Sequence, residues 1–160
     1  MKFAIVRISA LFIILVGLII SAGCGNSQKT EYELTKGWHN YEKEGSNWLR
    51  WTSGKGEVRI TVPKEGSISL QGEIISIHPH AMVDVLVNGQ KVKTWDIVRT
   101  TWEFKPLEPL AVSLKAGSTT IEFVSLQPAV INQGDPRPLA VAFKNLRLTY
   151  NGAQVPLKLQ

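Results

Sequence analysis

The run Val83-Asp84-Val85-Leu86-Val87-Asn88-Gly89-Gln90-Lys91-Val92-Lys93-Thr94-Trp95 constrains the fold more than any other stretch of the chain. Asparagine followed by glycine tolerates the left-handed backbone that a two-residue hairpin turn requires, and the alternating residues on either side supply its two strands. Pairing follows from the turn. Val87 is expected opposite Gln90, Val85 opposite Val92 in the core, and Asp84 opposite Lys93 on the wet side, where opposite charges add roughly 0.2–1 kcal/mol. A slip of one residue would bury the charges, so the register is specified. The rest of the chain beyond residue 37 shows no long stretch of helical periodicity, so it has to bury its apolar side chains between sheets.

Short alternating runs bounded by Gly, Pro, Asn and Ser recur about every ten residues, the pattern of an all-β chain folded as one antiparallel β-sandwich, jelly-roll-like. Val58, Ile60 and Val62 point one way while Glu57, Arg59 and Thr61 point the other, until Pro63 ends the ladder. Ile68 and Leu70 share a face, but after Gly72 the apolar positions shift to Ile75 and Ile77, which predicts a bulge near Gly72 to Ile75. Trp102 to Lys105, Ala111 to Leu114 and Thr119 to Ser125 read as further strands, with Pro106-Leu107-Glu108-Pro109 as a stiff connection. Leu139, Val141 and Phe143 share a face that Leu146, Leu148 and Tyr150 continue one residue out of phase, so a second bulge is expected near Lys144-Asn145. Asn151-Gly152 repeats the hairpin signal and folds Ala153 to Leu157 back as a last strand.

Upstream of this domain the chain has a different character. Lys2 and Arg7 precede an apolar run from Ile8 to Ile20 that is shorter than the roughly 20 residues a membrane span needs. Ser21, Ala22 and Gly23 then lead directly to Cys24, the one cysteine of the chain. This arrangement resembles the lipobox of bacterial lipoproteins, with Ser21 where a leucine is usual. The resemblance implies a signal peptide over residues 1–23, lipidation of Cys24 and a tether over 24–36, leaving the β-sandwich at 37–160. An uncleaved signal anchor and an ordinary secreted chain are the alternatives. Each buried methylene contributes about 0.8 kcal/mol, so two or three acyl chains hold a protein on a membrane where one binds marginally. The expected location is therefore extracytoplasmic, on a bacterial cell or outer membrane, and Gly25 is not the Asp that favours inner-membrane retention. With Cys24 modified, no disulfide is available and the core alone must stabilise the domain.

The chain holds 18 Lys and Arg against 13 Asp and Glu. With Lys2 and Arg7 in the leader, the remaining excess is small and scattered in ones and twos, a solvated surface with no nucleic-acid footprint. No GxSxG elbow, HExxH, CxxC or phosphate loop occurs, no cofactor is called for, and no enzyme is expected. Two of the thirteen carboxylates could meet in space as a glycan hydrolase requires, which leaves hydrolysis as the least favoured alternative. His78-Pro79-His80 could offer two imidazoles to a metal, but proline sets a turn there and no third ligand is near, so no metal site is assigned.

Two groups of residues are candidates for binding. Asp135-Pro136-Arg137-Pro138 is a stiff entry into the run Leu139 to Leu148, expected to lie outside any hydrogen-bonded ladder, with an acid and a base projecting on one side. The pair is open between a ligand grip and a latch salt-bridged to the Arg50-Trp51 region. The second group is aromatic: Trp38, Trp48 and Trp51 fall close together with His39, Tyr41 and Arg50 among them. Sugar rings stack apolar faces on indole while polar side chains satisfy their hydroxyls, which suits such a cluster to glycan recognition. Large aromatics also plug sandwich cores, the placement favoured for Trp51 and Trp95, whereas Trp38 and Trp48 are open between core and ligand face.

At Arg50-Trp51-Thr52, Val87-Asn88-Gly89 and Asp135-Pro136-Arg137-Pro138-Leu139-Ala140-Val141-Ala142 the chain resembles a β-sandwich domain fused to bacterial membrane glycosyltransferases, similar in architecture to carbohydrate-binding modules and galactose-binding-like jelly rolls. Leu49 stands where those relatives carry an aromatic, and Ala140 where they carry glycine. The resemblance implies a non-catalytic sandwich working on or near envelope glycans. The expected function is noncovalent binding of a saccharide or glycan-bearing partner, with Trp38, Trp48, Arg50, Asp135 and Arg137 as contacts. A scaffold that recognises another envelope protein through an exposed sheet face is the alternative.

Overall fold

The structure, a computed structural model, describes residues 29–158. The leader, Cys24 and the start of the tether lie outside those residues. The chain runs through β1 (Glu31–Leu34), β2 (Glu42–Glu44), β3 (Asn47–Trp51), β4 (Lys55–Val62) and β5 (Gly66–Ser76). It continues through β6 (His80–Val87), β7 (Gln90–Val98), β8 (Lys105–Pro106), β9 (Leu110–Leu114) and β10 (Gly117–Ser125). The last elements are β11 (Val130–Asn132), β12 (Asp135–Leu139), β13 (Val141–Tyr150) and β14 (Ala153–Val155). All strand pairs are antiparallel.

Two sheets face each other. One has the order β1-β4-β10-β6-β7. The other follows β2-β3-β13-β5-β8, with β14 beside β13 and β9 beside β5. Alternation along each strand sends one set of side chains inward. The first sheet contributes Val58, Ile60 and Val62 with Val83, Val85, Ile121 and Phe123, and the second contributes Ile68, Leu70, Val141, Phe143 and Leu148, each almost wholly buried. Trp95 stacks on Phe123 at 5.7 Å between ring centroids, and Phe123 meets Phe143 at 4.8 Å, so an aromatic column joins the sheets. The all-β sandwich expected from the alternation is what forms.

Both asparagine-glycine hairpins form, with left-handed Asn88 and Asn151 at their turns. The pairing beyond the first turn differs from the expected one. Val87 is opposite Gln90 and Leu86 opposite Lys91, but Val85 then faces Lys93 and Asp84 faces Thr94. Val92 is the extra residue of a bulge and is 44% exposed, not core. Asp84 accepts a hydrogen bond from Thr94 Oγ1 at 2.5 Å, and Lys91 approaches its other carboxylate oxygen at 3.4 Å, so the lysine across the turn replaces Lys93.

The two bulges expected on β5 and β13 are a single one, on β13. Lys144 pairs with Glu73 and Arg147 with Gln71, which leaves Asn145 and Leu146 opposite Gly72 alone. Asn145 takes a left-handed φ of 53°, as its side chain permits. A Cβ on Gly72 would lie 3.1 Å from the Lys144 carbonyl oxygen, so glycine lets the bulged backbone close in. β5 itself runs unbroken through Ser76. Its apparent change of phase arises because Ile74 faces the main core while Ile75 faces a second small cluster with Leu49 and Ala142.

Three further expectations are revised. Of the strand placed at Trp102 to Lys105 only the end forms, as β8, and Trp102 is 63% exposed. The tether region 24–36 already contains β1, zipped to β4 from Glu31 opposite Thr61 to Leu34 opposite Val58. Asp135 to Leu139 is not outside a ladder, because β12 pairs with β11 as a two-stranded ribbon, Asp135 opposite Asn132 and Leu139 opposite Val130. Pro136 and Pro138 occupy alternate positions, so only one edge of the strand loses its donors and the other edge remains free to pair.

Candidate ligand cavity

A cavity of about 510 Å³ opens between β1, the segment from Trp38 to Arg50, the bulge of β13 and Leu157 near the C-terminus. Its floor is apolar, made by Leu34, Phe143, Leu146 and Leu157. Trp38 forms the back wall. Its indole meets Phe143 and Phe123 edge-on at 5.4 and 6.2 Å, and its Nε1–H donates to the Glu57 carbonyl at 2.8 Å. Gly56 makes room for it, since a Cβ there would lie 2.8 Å from the indole ring.

Tyr41 and Trp48 line one side, their rings perpendicular at 6.0 Å. Trp48 is 52% exposed, held on β3 of the short β2–β3 hairpin. Arg50 lays its guanidinium 4.2 Å above the Tyr41 ring and donates from Nε to the His39 carbonyl at 2.7 Å. Asn145 donates from Nδ2 to Asn47 Oδ1 at 2.9 Å, which ties the β13 bulge to the tip of that hairpin. Tyr32 from β1 donates its hydroxyl to the Leu146 carbonyl at 3.0 Å. Burial pushes the Tyr32 phenol up to about 12, with the neighbouring Tyr41 adding to the effect, and burial raises Tyr41 as well, against the pull of Arg50. Both phenols therefore stay neutral donors at ordinary pH.

The charged side chains that line the cavity are Arg50 and Arg147. Among the described residues neither is ion-paired with a carboxylate. Arg59, by contrast, meets Glu33 at 3.1 Å, and Arg137 lies within ion-pair distance of both Glu42 and Asp135.

The five residues singled out from the sequence are placed in two groups. Trp38, Trp48 and Arg50 line the cavity together. Asp135 and Arg137 lie on the β11–β12 ribbon and engage each other: Arg137 donates from Nε and Nη2 to the two Asp135 carboxylate oxygens at 2.9 and 2.7 Å, and from Nη1 to Glu42 at 2.5 Å. Those hydrogen bonds from Arg137 hold the Asp135 carboxyl down to about 2. Beside them His39 donates from Nε2 to the Pro138 carbonyl at 2.8 Å. The ribbon thus clasps residues 39–42, whose Tyr41 faces the cavity. The latch partner is Glu42, not the Arg50-Trp51 region, and the pair is about one-third exposed.

Of the remaining tryptophans, Trp95 is 2% exposed and Trp51 packs against Leu49, Ile75 and Ala142. His78 and His80 turn to separate partners, the Pro128 carbonyl and the Asp96 carboxylate. Tyr32, Leu34, Leu146, Arg147 and Leu157 were not singled out in advance, because they come from strands far apart in the chain. The one sequence signal that points to them is the loss of phase at Lys144-Asn145, which marks where β13 opens the cavity.

No family model matches the chain, and no curated protein matches it. Among solved structures it is similar to a family 35 carbohydrate binding module from an environmental isolate, at 17% identity and a TM-score of 0.49, covering 72% of this chain and 88% of that one. It is similar to the Podospora anserina GH26-CBM35 β-(1,4)-mannanase at 16% identity and a TM-score of 0.48, covering 78% of this chain and only 26% of the mannanase. A CBM35 from Cellvibrio japonicus is similar at 11% identity and a TM-score of 0.45, covering 78% of this chain and 99% of that one.

Proposed function

We propose that this is a lipid-anchored, extracytoplasmic protein of a bacterial envelope whose sandwich binds a saccharide or a glycan-bearing partner noncovalently and performs no catalysis. The observation that carries the reading is Trp48, an indole half exposed at a cavity wall with Tyr41 beside it and Arg50 above Tyr41. An exposed indole offers a flat apolar face to a pyranose ring, while Arg50, Asn145 and the neutral Tyr41 phenol supply directional donors for hydroxyls. Asp135 and Arg137 act in this reading by holding residues 39–42 against the sandwich. The anchor rests on Cys24 and the leader before it, so incorporation of a labelled fatty acid should be lost in Cys24→Ala.

The chain from Gly25 onward carries every strand and all of the buried core found among the described residues. Applied to a glycan array, it should give responses that Trp48→Ala abolishes at unchanged melting temperature. An array without any response removes the saccharide reading. A second reading, a scaffold for another envelope protein, draws on the outer surface near the β6–β7 edge, where Met82, Val98, Trp102 and Leu126 are all exposed. Charged substitutions at Val98 and Leu126 would disrupt such a complex and leave glycan responses intact.

A further inference from the structure

We propose that the cavity behind Trp48 takes an anionic amphiphile, an alkyl or acyl chain carrying one carboxylate or phosphate, with the chain on the apolar floor and the anion between Arg50 and Arg147. The inference goes beyond the saccharide reading and does not depend on it, since a sugar uses the exposed face of Trp48 and the amphiphile uses the space behind. Three observations converge. The floor, formed by Leu34, Phe143, Leu146 and Leu157, presents aliphatic and aromatic carbon where a sugar would need hydrogen-bonding partners for its hydroxyls. The volume of about 510 Å³ falls within the range of small-molecule sites.

The charge pattern supplies the third. Both charged lining side chains are arginines, and among the described residues neither meets a carboxylate, although Arg59 and Arg137 elsewhere on the surface do. A guanidinium is well matched to a carboxylate or phosphate through paired, parallel N–H donors. Arg50 is also held in position by its bond to the His39 carbonyl and by the Tyr41 ring beneath it. The site further lies close to where amphiphiles are found if Cys24 is acylated: β1, which supplies Tyr32 and Leu34, starts at Glu31, and the intervening residues reach at most about 25 Å even fully extended.

The test is titration of the chain from Gly25 onward, followed by tryptophan fluorescence and calorimetry, with probes kept below their micelle-forming concentrations. Dodecanoate and dodecyl phosphate should each bind at one saturable site, and whichever is tighter identifies a carboxylate or a phosphate source. Dodecyltrimethylammonium, which has the chain and the opposite charge, should bind at least about tenfold more weakly. Acetate and inorganic phosphate, which lack the chain, should not bind measurably at the same concentrations. Arg147→Gln, an exposed position, should weaken dodecanoate about tenfold at unchanged melting temperature. Equal binding of the cationic probe, an unaltered affinity in Arg147→Gln, or the absence of any saturable site would overturn the proposal. Binding of dodecanoate without any glycan response would sustain it and remove the saccharide reading, whereas glycan responses without amphiphile binding would do the reverse.

Discussion

Arg137 and Arg147 border the same segment of the chain, residues 38–51, and meet opposite surroundings. Arg137 sits between Asp135 and Glu42 and spends its donors on them, closing a ribbon onto the sandwich. Arg147 stands at the rim of an apolar cavity with Arg50 and without a carboxylate among the described residues. The chemistry of the two side chains is identical, so the difference lies in what the fold places around them. A cation already neutralised by two carboxylates has little left to offer a ligand. One left uncompensated beside carbon surface gains by receiving an anion.

The largest effect that separates cavity from latch is expected at Trp38. Trp38→Ala removes the back wall and its packing on Phe123 and Phe143, and urea unfolding should show a loss of about 3–5 kcal/mol. Trp48→Ala, on the open side of the same cavity, should stay within about 0.5 kcal/mol of the parent while binding is lost. Similar stability losses at the two tryptophans would erase the distinction between wall and platform. Gly56→Ala is next. The added methyl meets the Trp38 ring, so a cost of about 1–3 kcal/mol and a shifted tryptophan emission are expected. An unchanged spectrum would mean that Trp38 does not pack where it is described.

A smaller effect is read from pH. Tyr32 ionises near pH 12 in the folded chain, above its ordinary value of 10.0, so the neutral phenol contributes stability that is complete below about pH 10 and is lost as pH climbs toward 12. Across that window the melting temperature should fall with pH for the parent and fall less for Tyr32→Phe. The smallest effect belongs to the latch. Exposed ion pairs contribute about 0–1 kcal/mol, so Glu42→Gln should lower the melting temperature by about 4 °C at most and leave ligand affinity alone. Asp135 has its carboxyl held near 2, below the ordinary 3.8, so its contribution is present above about pH 3.8 and is lost as pH falls through 2. Ligand loss in Glu42→Gln as deep as in Trp48→Ala would place the ribbon in the site.

How much of this was legible in the sequence depends on distance along the chain. The hairpin at Asn88-Gly89 and the bulge at Asn145 were readable because turn chemistry and phase are local properties. The bulge that exposes Val92 left only a trace, since Val92 and Trp95 stand three residues apart and cannot share a face of a regular strand, but pairing with β6 is what shows which of the two is core. The cavity was half legible. Trp38, Trp48 and Arg50 cluster within one short segment, whereas Tyr32, Arg147 and Leu157 join them only through the order of strands in two sheets. The same limit applied to Arg50-Trp51-Thr52 and Val141-Ala142-Phe143, two blocks distant in sequence that form adjacent rungs of one ladder, with Arg50 opposite Phe143 and Trp51 opposite Ala142.

β1 is both the first strand of the folded chain and a wall of the cavity. A pull applied at the N-terminal side enters at Glu31, and four antiparallel residue pairs with β4, together with the bridge from Tyr32 to Leu157, must give way together before the strand can slide. Tyr32 and Leu34 would leave the cavity in that event while the aromatic column from Trp95 to Phe143 stayed packed. If the cavity holds a ligand as proposed, a pull on the N-terminal side would open its wall before it disturbed the core.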